Sequence, residues 1–148
     1  MGNVLVLTSG MIYQKFAMDD TLELEAMKEL IDGWVEVALR VPKEHIKKFL
    51  PNCKSTNNMI AFCDSDGYPK QLAPTWARPT DGHMLVGPVL FCSYRVVWHD
   101  DGPDETYHPL DEEQIASLTN TLRASDWSEL LFDDINYESR LNLMSGGK

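Results

Sequence analysis

The chain has 148 residues, 43% of them hydrophobic and 24% charged, which suits a single domain with a buried core. Its net charge of −10, from 23 acidic against 13 basic residues, disfavours nucleic acid as a direct partner, because phosphate binding needs clustered Lys and Arg. No apolar run approaches the roughly 20 residues of a membrane span, and the opening MGNVLVLTSG lacks the basic start of a secretion signal, so a cytoplasmic protein with no membrane contact is expected.

Residues 4–7 form a Val and Leu run that reads as a first strand, ended by Ser9-Gly10. Residues 11–18 alternate and read as its return across a short turn. Asp20-x-x-Glu23 then has the form of a capping box, in which each side chain satisfies an exposed N–H at a helix start. Leu24, Met27, Leu30 and Ile31 recur at helical spacing, and Gly33 is placed to stop the helix. Residues 34–41, WVEVALRV, alternate like a half-buried strand, with Glu36 and Arg40 outward, and Pro42 ends it. Residues 43–50 predict a short helix with Ile46, Phe49 and Leu50 on one side.

Residues 59–63 are strand-like and run into Asp64-Ser65-Asp66-Gly67, with residues 68–72 as an expected hairpin partner. Residues 73–82 contain two Pro and read as irregular. Residues 84–98 are the longest β-like stretch, broken at Gly87-Pro88, where the missing Pro N–H implies a bend, a bulge or an edge. Residues 99–109 read as an acidic loop. A second capping box, Asp111-x-x-Gln114, opens a helix with Ile115, Leu118 and Leu122 on one face. The expectation is an α+β domain over residues 1–123, with a mixed or antiparallel sheet and two main helices at about 21–32 and 112–123. An acidic C-terminal extension, 124–148, would pack on this domain or on a partner.

Charge is uneven along the chain. Residues 1–99 hold 11 acids against 10 bases, and residues 100–148 hold 12 acids against 3 bases, so the balances are −1 and −9. Apolar Trp127, Leu130, Leu131 and Phe132 are interleaved with the late acids. Such a segment suits a host protein with a basic surface, its aromatics buried and its charges steering the encounter. The candidate partner-binding residues are Asp100, Asp101, Asp104, Glu105, Trp127, Glu129, Asp133 and Asp134. Solubility from a solvated acidic face explains the same charge, and packing on the chain's own sheet or service as a homodimer arm explains the same tail. The opposite charge is gathered in a weak basic strip, Arg40, Lys43, Lys47, Lys48 and Lys54.

The remaining chemistry is sparse. The three Cys (Cys53, Cys63 and Cys92) fit reduced core thiols better than a disulfide pattern. Neither they nor His83, His99 and His108 show metal-ligand spacing, so no metal and no cofactor are expected. The Asp64-Ser65-Asp66-Gly67 stretch after an apolar strand imitates the nucleophile motif of haloacid-dehalogenase-type phosphatases, with Asp133-Asp134 as the matching metal pair. That chemistry needs a parallel strand followed by a helix, and none is predicted after Gly67, so a tight turn is the expectation. An EF-hand is excluded because Gly67 is fourth in the loop where that loop needs Gly sixth. A small-ligand pocket for a nucleotide-like molecule is the alternative, near Tyr68, Trp76, Arg78 and Arg95.

The order of these segments resembles the uncharacterised domain of unknown function 3846, a family of phages, plasmids and other mobile elements. Residues 24–36 match its Leu-Glu-Ala helix running into Gly and a Val-Glu strand, here with Trp34 after Gly33. Asp66, Gly67, Leu72 and Pro74 match an acidic-Gly turn leading to Leu-x-Pro; residues 86–90 match a Val-Gly-x-Val-Leu strand; residues 110–115 match a Leu-x-x-Glu-Gln-Ile helix start. The resemblance covers about residues 1–123. It departs at Thr75, where the family often has Asn, and the tail after Arg123 has no counterpart. It implies a setting in mobile elements and no catalytic residues. The expected function is therefore a non-enzymatic accessory protein acting by binding in the host cytoplasm. An inhibitor of a host defence or nucleic-acid-handling protein is one form of it.

Overall fold

The structure, a computed structural model, describes residues 2–124. Strands β1 (Gly2–Thr8) and β2 (Met11–Ala17) form the N-terminal hairpin. Helix α1 (Leu24–Ile31) leads to β3 (Val35–Val41), a 3-10 turn (Lys43–His45) and the one-turn helix α2 (Ile46–Phe49). Strands β4 (Asn58–Asp64), β5 (Pro74–Ala77), β6 (Met84–Val86), β7 (Val89–His99) and β8 (Gly102–His108) follow, and helix α3 (Glu112–Ala124) closes the described chain.

The main sheet has the order β2-β1-β7-β4-β3, and all its pairings are antiparallel. This is the expected α+β class. The 11-residue β7 holds two partners in succession along one side: β1 at Val89 to Phe91, then β8 from Ser93 to His99. Strand β4 takes its other side only as far as Tyr94. Beyond Tyr94, β7 and β8 continue as a two-stranded ribbon.

Period-two alternation sends the side chains of each central strand to two different cores. Leu5, Leu7, Met59, Ala61, Val89 and Phe91 pack under α2, α3 and the β5–β6 hairpin. Val4, Val6, Ile60, Phe62, Leu90 and Cys92 face α1 through Leu22, Met27 and Ile31. At eight residues, α1 is shorter than the ~12–15 that a free helix needs to be stable. Burial of Met27 and Ile31, at ~1.5–3 kcal/mol per fully buried side chain, supplies what local propensity does not.

The second capping box forms as predicted. The Gln114 N–H donates to Asp111 Oδ1 at 2.7 Å, and the Asp111 N–H donates to Gln114 Oε1 at 3.0 Å. Gln114 is fully buried, and its amide also ties α3 to the sheet. Ser93 Oγ donates to its Oε1 at 2.7 Å, and its Nε2 donates to the carbonyls of Asn57 and Asn58 at 3.2 and 3.3 Å. Asn57 Nδ2 and Ser55 Oγ donate to the other Asp111 oxygen.

Other expectations are corrected. The first box does not form: α1 begins after Glu23, which makes no side-chain cap bond, while the Asp20 carbonyl accepts from His108 Nδ1 at 2.6 Å. Asp32, not Gly33, takes the left-handed position at the helix end, with φ of 60°. Gly33 is needed for another reason. A Cβ there would lie 2.5 Å from Asp64 Cγ and closer still to its Oδ2. Trp34 is 62% exposed rather than half-buried, because β3 starts only at Val35 and is bulged between Val37 and Leu39.

Residues 68–72 are turns, not a hairpin strand, and β4 pairs with β3 and β7 instead. The stretch read as irregular holds β5, paired with β6. Gly87, with φ of +76°, makes the bend at Gly87-Pro88 that separates β6 from β7. The supposed acidic loop at 99–109 contains β8, whose Tyr107 ring packs edge-on against Phe62 at 5.0 Å. The expected extension, 124–148, lies outside the described residues but for Ala124 at the end of α3.

Candidate functional site

The β7–β8 ribbon carries its exposed apolar groups where β4 no longer covers it. Register pairs Trp98 with Pro103 and Val96 with Glu105, so Val96 and Trp98 lie on one face, and Val97 with Asp104 on the other. Trp98 is 75% exposed, Val96 45% and Val97 43%. Asp100 and Asp101 form the exposed tip, and Asp104 is exposed beside His99, 3.8 Å from its Nε2. An aromatic side chain is thus displayed at the end of a strand, next to two acids at the ribbon's tip.

Of the predicted partner residues, the ribbon brings Asp100, Asp101 and Asp104 together. Glu105 is occupied differently: it is ion-paired to Arg40 across the sheet and accepts the Tyr107 hydroxyl at 2.7 Å. Burial and that bond push the Tyr107 phenol up to about 12. The Arg40 guanidinium also lies 5.2 Å from the Tyr94 ring. Trp127, Glu129, Asp133 and Asp134 lie outside the described residues. The sequence reading missed Val96, Val97 and Trp98 as surface groups. Their continuous apolar run looks like core, and only the end of β4 at Asn58 leaves them uncovered.

A groove of about 600 Å³ opens between β3, α2, β5 and the last turn of α3. Leu39, Phe49, Trp76, Pro79 and Leu122 make it apolar, with His45 and Lys48 among its lining. Trp76 forms its floor, packed 5.3 Å from Phe91 and 5.9 Å from Phe49. A second cleft, of about 700 Å³, separates β2 from α1 around Tyr13, Phe16 and Leu30.

The predicted ligand residues do not converge on one pocket. Trp76 lines the first groove. Arg78 donates to the Ala38 carbonyl at the β3 bulge, at 2.9 Å, and forks onto Asp81 at 2.9 and 2.5 Å. That pairing lowers the Asp81 pKa and raises that of Arg78. The Tyr68 hydroxyl donates to the Met84 carbonyl, and its ring packs on His83. Arg95 is in a separate cleft with Asp20, Asn57, His108 and Asp111.

The Asp64 motif is a turn. Asp64 Oδ1 accepts the N–H of Asp66 at 2.9 Å, and Oδ2 holds Lys70 Nζ at 2.7 Å, which raises the lysine pKa. Strand β4 is antiparallel to both neighbours and no helix follows Gly67, so the strand geometry of the phosphatase motif is not reproduced. Asp133 and Asp134, its would-be metal pair, lie outside the described residues. Cys53, Cys63 and Cys92 are buried free thiols. Burial, then Glu36, pushes the Cys63 thiol up to about 12, and burial raises Cys92 as well. Among the described residues, no three His, Cys, Asp or Glu side chains are grouped to hold a metal ion, and no helix is long and apolar enough to cross a membrane.

Comparison of the chain with protein-family models, curated proteins and solved structures gave no match.

Proposed function

We propose that the chain is a non-enzymatic binding protein that engages a basic protein surface through the tip of the β7–β8 ribbon. The observation that carries this is Trp98, 75% exposed at the end of the ribbon, next to the exposed tip carboxylates Asp100 and Asp101, with Asp104 on the ribbon's opposite face. A large exposed Trp gains by transfer into a partner's pocket, and Trp is among the residues that most often dominate interface energy. The carboxylates favour a basic partner and speed its approach. The mobile-element family that the sequence resembles gives the setting: an accessory protein acting in a host cell on a defence or nucleic-acid-handling protein.

The test is capture of a stoichiometric partner from bacterial lysate, followed by affinity measurement with that purified partner. Trp98→Ala should weaken binding by about 30-fold, the effect of a ~2 kcal/mol anchor. Asp100→Lys with Asp101→Lys should slow association, more so at low salt. Unchanged affinity in the Trp98 variant would refute the ribbon as the binding element. A second reading, a small-ligand domain, draws on the groove over Trp76; a nucleotide seen to co-purify by native mass spectrometry would favour it.

A further inference from the structure

We infer that the edge of β7 beyond Tyr94 is a self-association site, where a second copy of this chain adds its own β7 antiparallel about a two-fold axis at Val97. The pairing rests on the ribbon reading and gives it a partner, because the second copy carries a basic strip. Backbone direction defines the edge. Asn58 Nδ2 donates to the Tyr94 carbonyl from the β4 side at 3.2 Å, and the Leu22 N–H donates to the Tyr107 carbonyl on the outer side of β8 at 2.7 Å. That direction alternates along a strand. Tyr94, Val96 and Trp98 therefore turn their N–H and C=O groups away from β8, toward the slot that β4 leaves open beyond Asn58. Among the described residues nothing pairs with those groups of Val96 and Trp98, and both side chains are exposed. Other edges are blunted. On β8, Pro103 lacks the outward N–H and Leu22 holds Tyr107; β3 is bulged, with its Ala38 carbonyl taken by Arg78; β2 carries an exposed Lys15.

One register satisfies what the edge offers. With Val97 on the axis, each Val96 lies opposite Trp98 of the second copy, and the two exchange both N–H···O=C bonds. Their side chains share one face and Val97 meets Val97 on the other, so apolar groups meet apolar groups. Moving the axis one residue either way sets Val96 opposite Asp100 in the turn, or Trp98 opposite Tyr94, which β4 already holds. The chain that precedes β4 does not continue along the slot: Ser55 and Asn57 are drawn aside to Asp111, and the Asn57 carbonyl to Gln114. Charge complements the register. The second copy's β7 lies in line with β4, so its Asp100-Asp101 tip abuts Asn58 and Lys43, whose N–H donates to Asn58 Oδ1 at 2.8 Å. Lys43, Lys47 and Lys48 are exposed there against one acid, Glu44. Two-fold symmetry repeats the contact, and each acidic tip meets the other copy's basic strip.

The test is sedimentation velocity of the full-length chain up to about 500 µM, with cysteine crosslinking to read the register. So short an edge should give a dimer half-formed at roughly 10–100 µM, weakened by salt. Val96→Pro removes an N–H that faces only the slot. It should weaken the dimer at least about 10-fold and leave the circular-dichroism melt of the dilute monomer unchanged. At the axis the two Cα atoms of position 97 are ~4.5 Å apart, which suits a disulfide, whereas those of position 96 are more than about 7 Å apart. With copper phenanthroline as oxidant, Val97→Cys should therefore form a covalent dimer at least about 10-fold faster than Val96→Cys; the native thiols are buried. A chain still monomeric at about 500 µM, a dimer that folded Val96→Pro leaves intact, or equal crosslinking at the two positions would each overturn the self-association site. None of these results bears on another basic protein at the ribbon tip, which is decided by the capture experiment with Trp98→Ala.

Discussion

Replacing Gln114 by Leu removes an amide that is fully buried and meets four groups at once: the Ser93 hydroxyl, the Asp111 N–H, and the carbonyls of Asn57 and Asn58. A buried group left without a partner costs ~1–3 kcal/mol. The Asp111 N–H takes the full cost because it cannot turn away. The Ser93 hydroxyl can rotate, and each carbonyl keeps a second lone pair, so these three together cost about 1–2 kcal/mol. Leu is spared the desolvation of an amide, which returns about 1 kcal/mol. The net loss is ~1–4 kcal/mol, the middle of which is roughly 10 °C in Tm for a domain of this size. Urea unfolding at pH 7 measures it.

Gln114→Glu sharpens the same test by keeping the shape while pointing a carboxylate at two carbonyl oxygens. Burial and those oxygens raise its folded pKa above the ~4.3 of the unfolded chain. Its contribution is then fully present below the unfolded pKa and is lost as pH rises through the folded one, so this variant should gain stability relative to wild type on acidification. A Leu variant as stable as wild type, or a Glu variant with no relative pH dependence, would refute the view that this amide fastens α3 to the sheet.

Gly33→Ala should destabilise by about 3 kcal/mol, because its Cβ would overlap the Asp64 carboxylate that Lys70 and the Asp66 N–H hold in place. A thermal double-mutant cycle with Asp64→Ala should show a strong favourable coupling, and additive losses would contradict this. The native thiols should resist iodoacetamide at pH 8 and react only on unfolding, since Cys63 and Cys92 are raised above their ordinary value of 9.0. The sign also makes the fold less stable above pH 9, where the unfolded thiols ionise before the folded ones; stability constant from pH 8 to pH 11 would refute this. Trp98→Ala should shift stability by less than ~0.5 kcal/mol by the same urea assay, as its side chain lies on the open ribbon.

How much of this the sequence disclosed depends on where each signal originates. Local signals served well. Apolar runs found β1, β4 and β7, alternation found β2 and β3, and the Asp111-Gln114 spacing found the α3 cap because both partners are in one turn. Long-range contacts were invisible. Strand β8 has Gly, Pro and three acids in its pattern and exists because β7 offers it a ladder and Phe62 a ring to pack on. Asp20 and Glu23 had the right spacing for a box, but His108 claims the Asp20 carbonyl from 88 positions away and the helix starts late. The acidic site was legible in part: composition identified Asp100, Asp101 and Asp104, whereas Arg40 neutralises Glu105 from across the sheet, which no spacing announces. Trp98 became a surface feature only once β4 was seen to stop at Asn58.

The central place of β7 also orders events during synthesis. Strands β1 and β4 do not pair with each other; each waits for residues 89–94 to fill the slot between them. A nascent chain can close the β1–β2 hairpin and pair β3 with β4, yet both pieces keep a raw inner edge until nearly 100 residues have left the ribosome. At 5–20 residues per second, the interval between the emergence of β4 and that of β7 is about 2–6 s. During that interval the inner edges of β1 and β4, both rich in apolar side chains, are open to other chains. Closure of the slot by so late a strand makes the fold rich in distant contacts, and slow to complete for that reason.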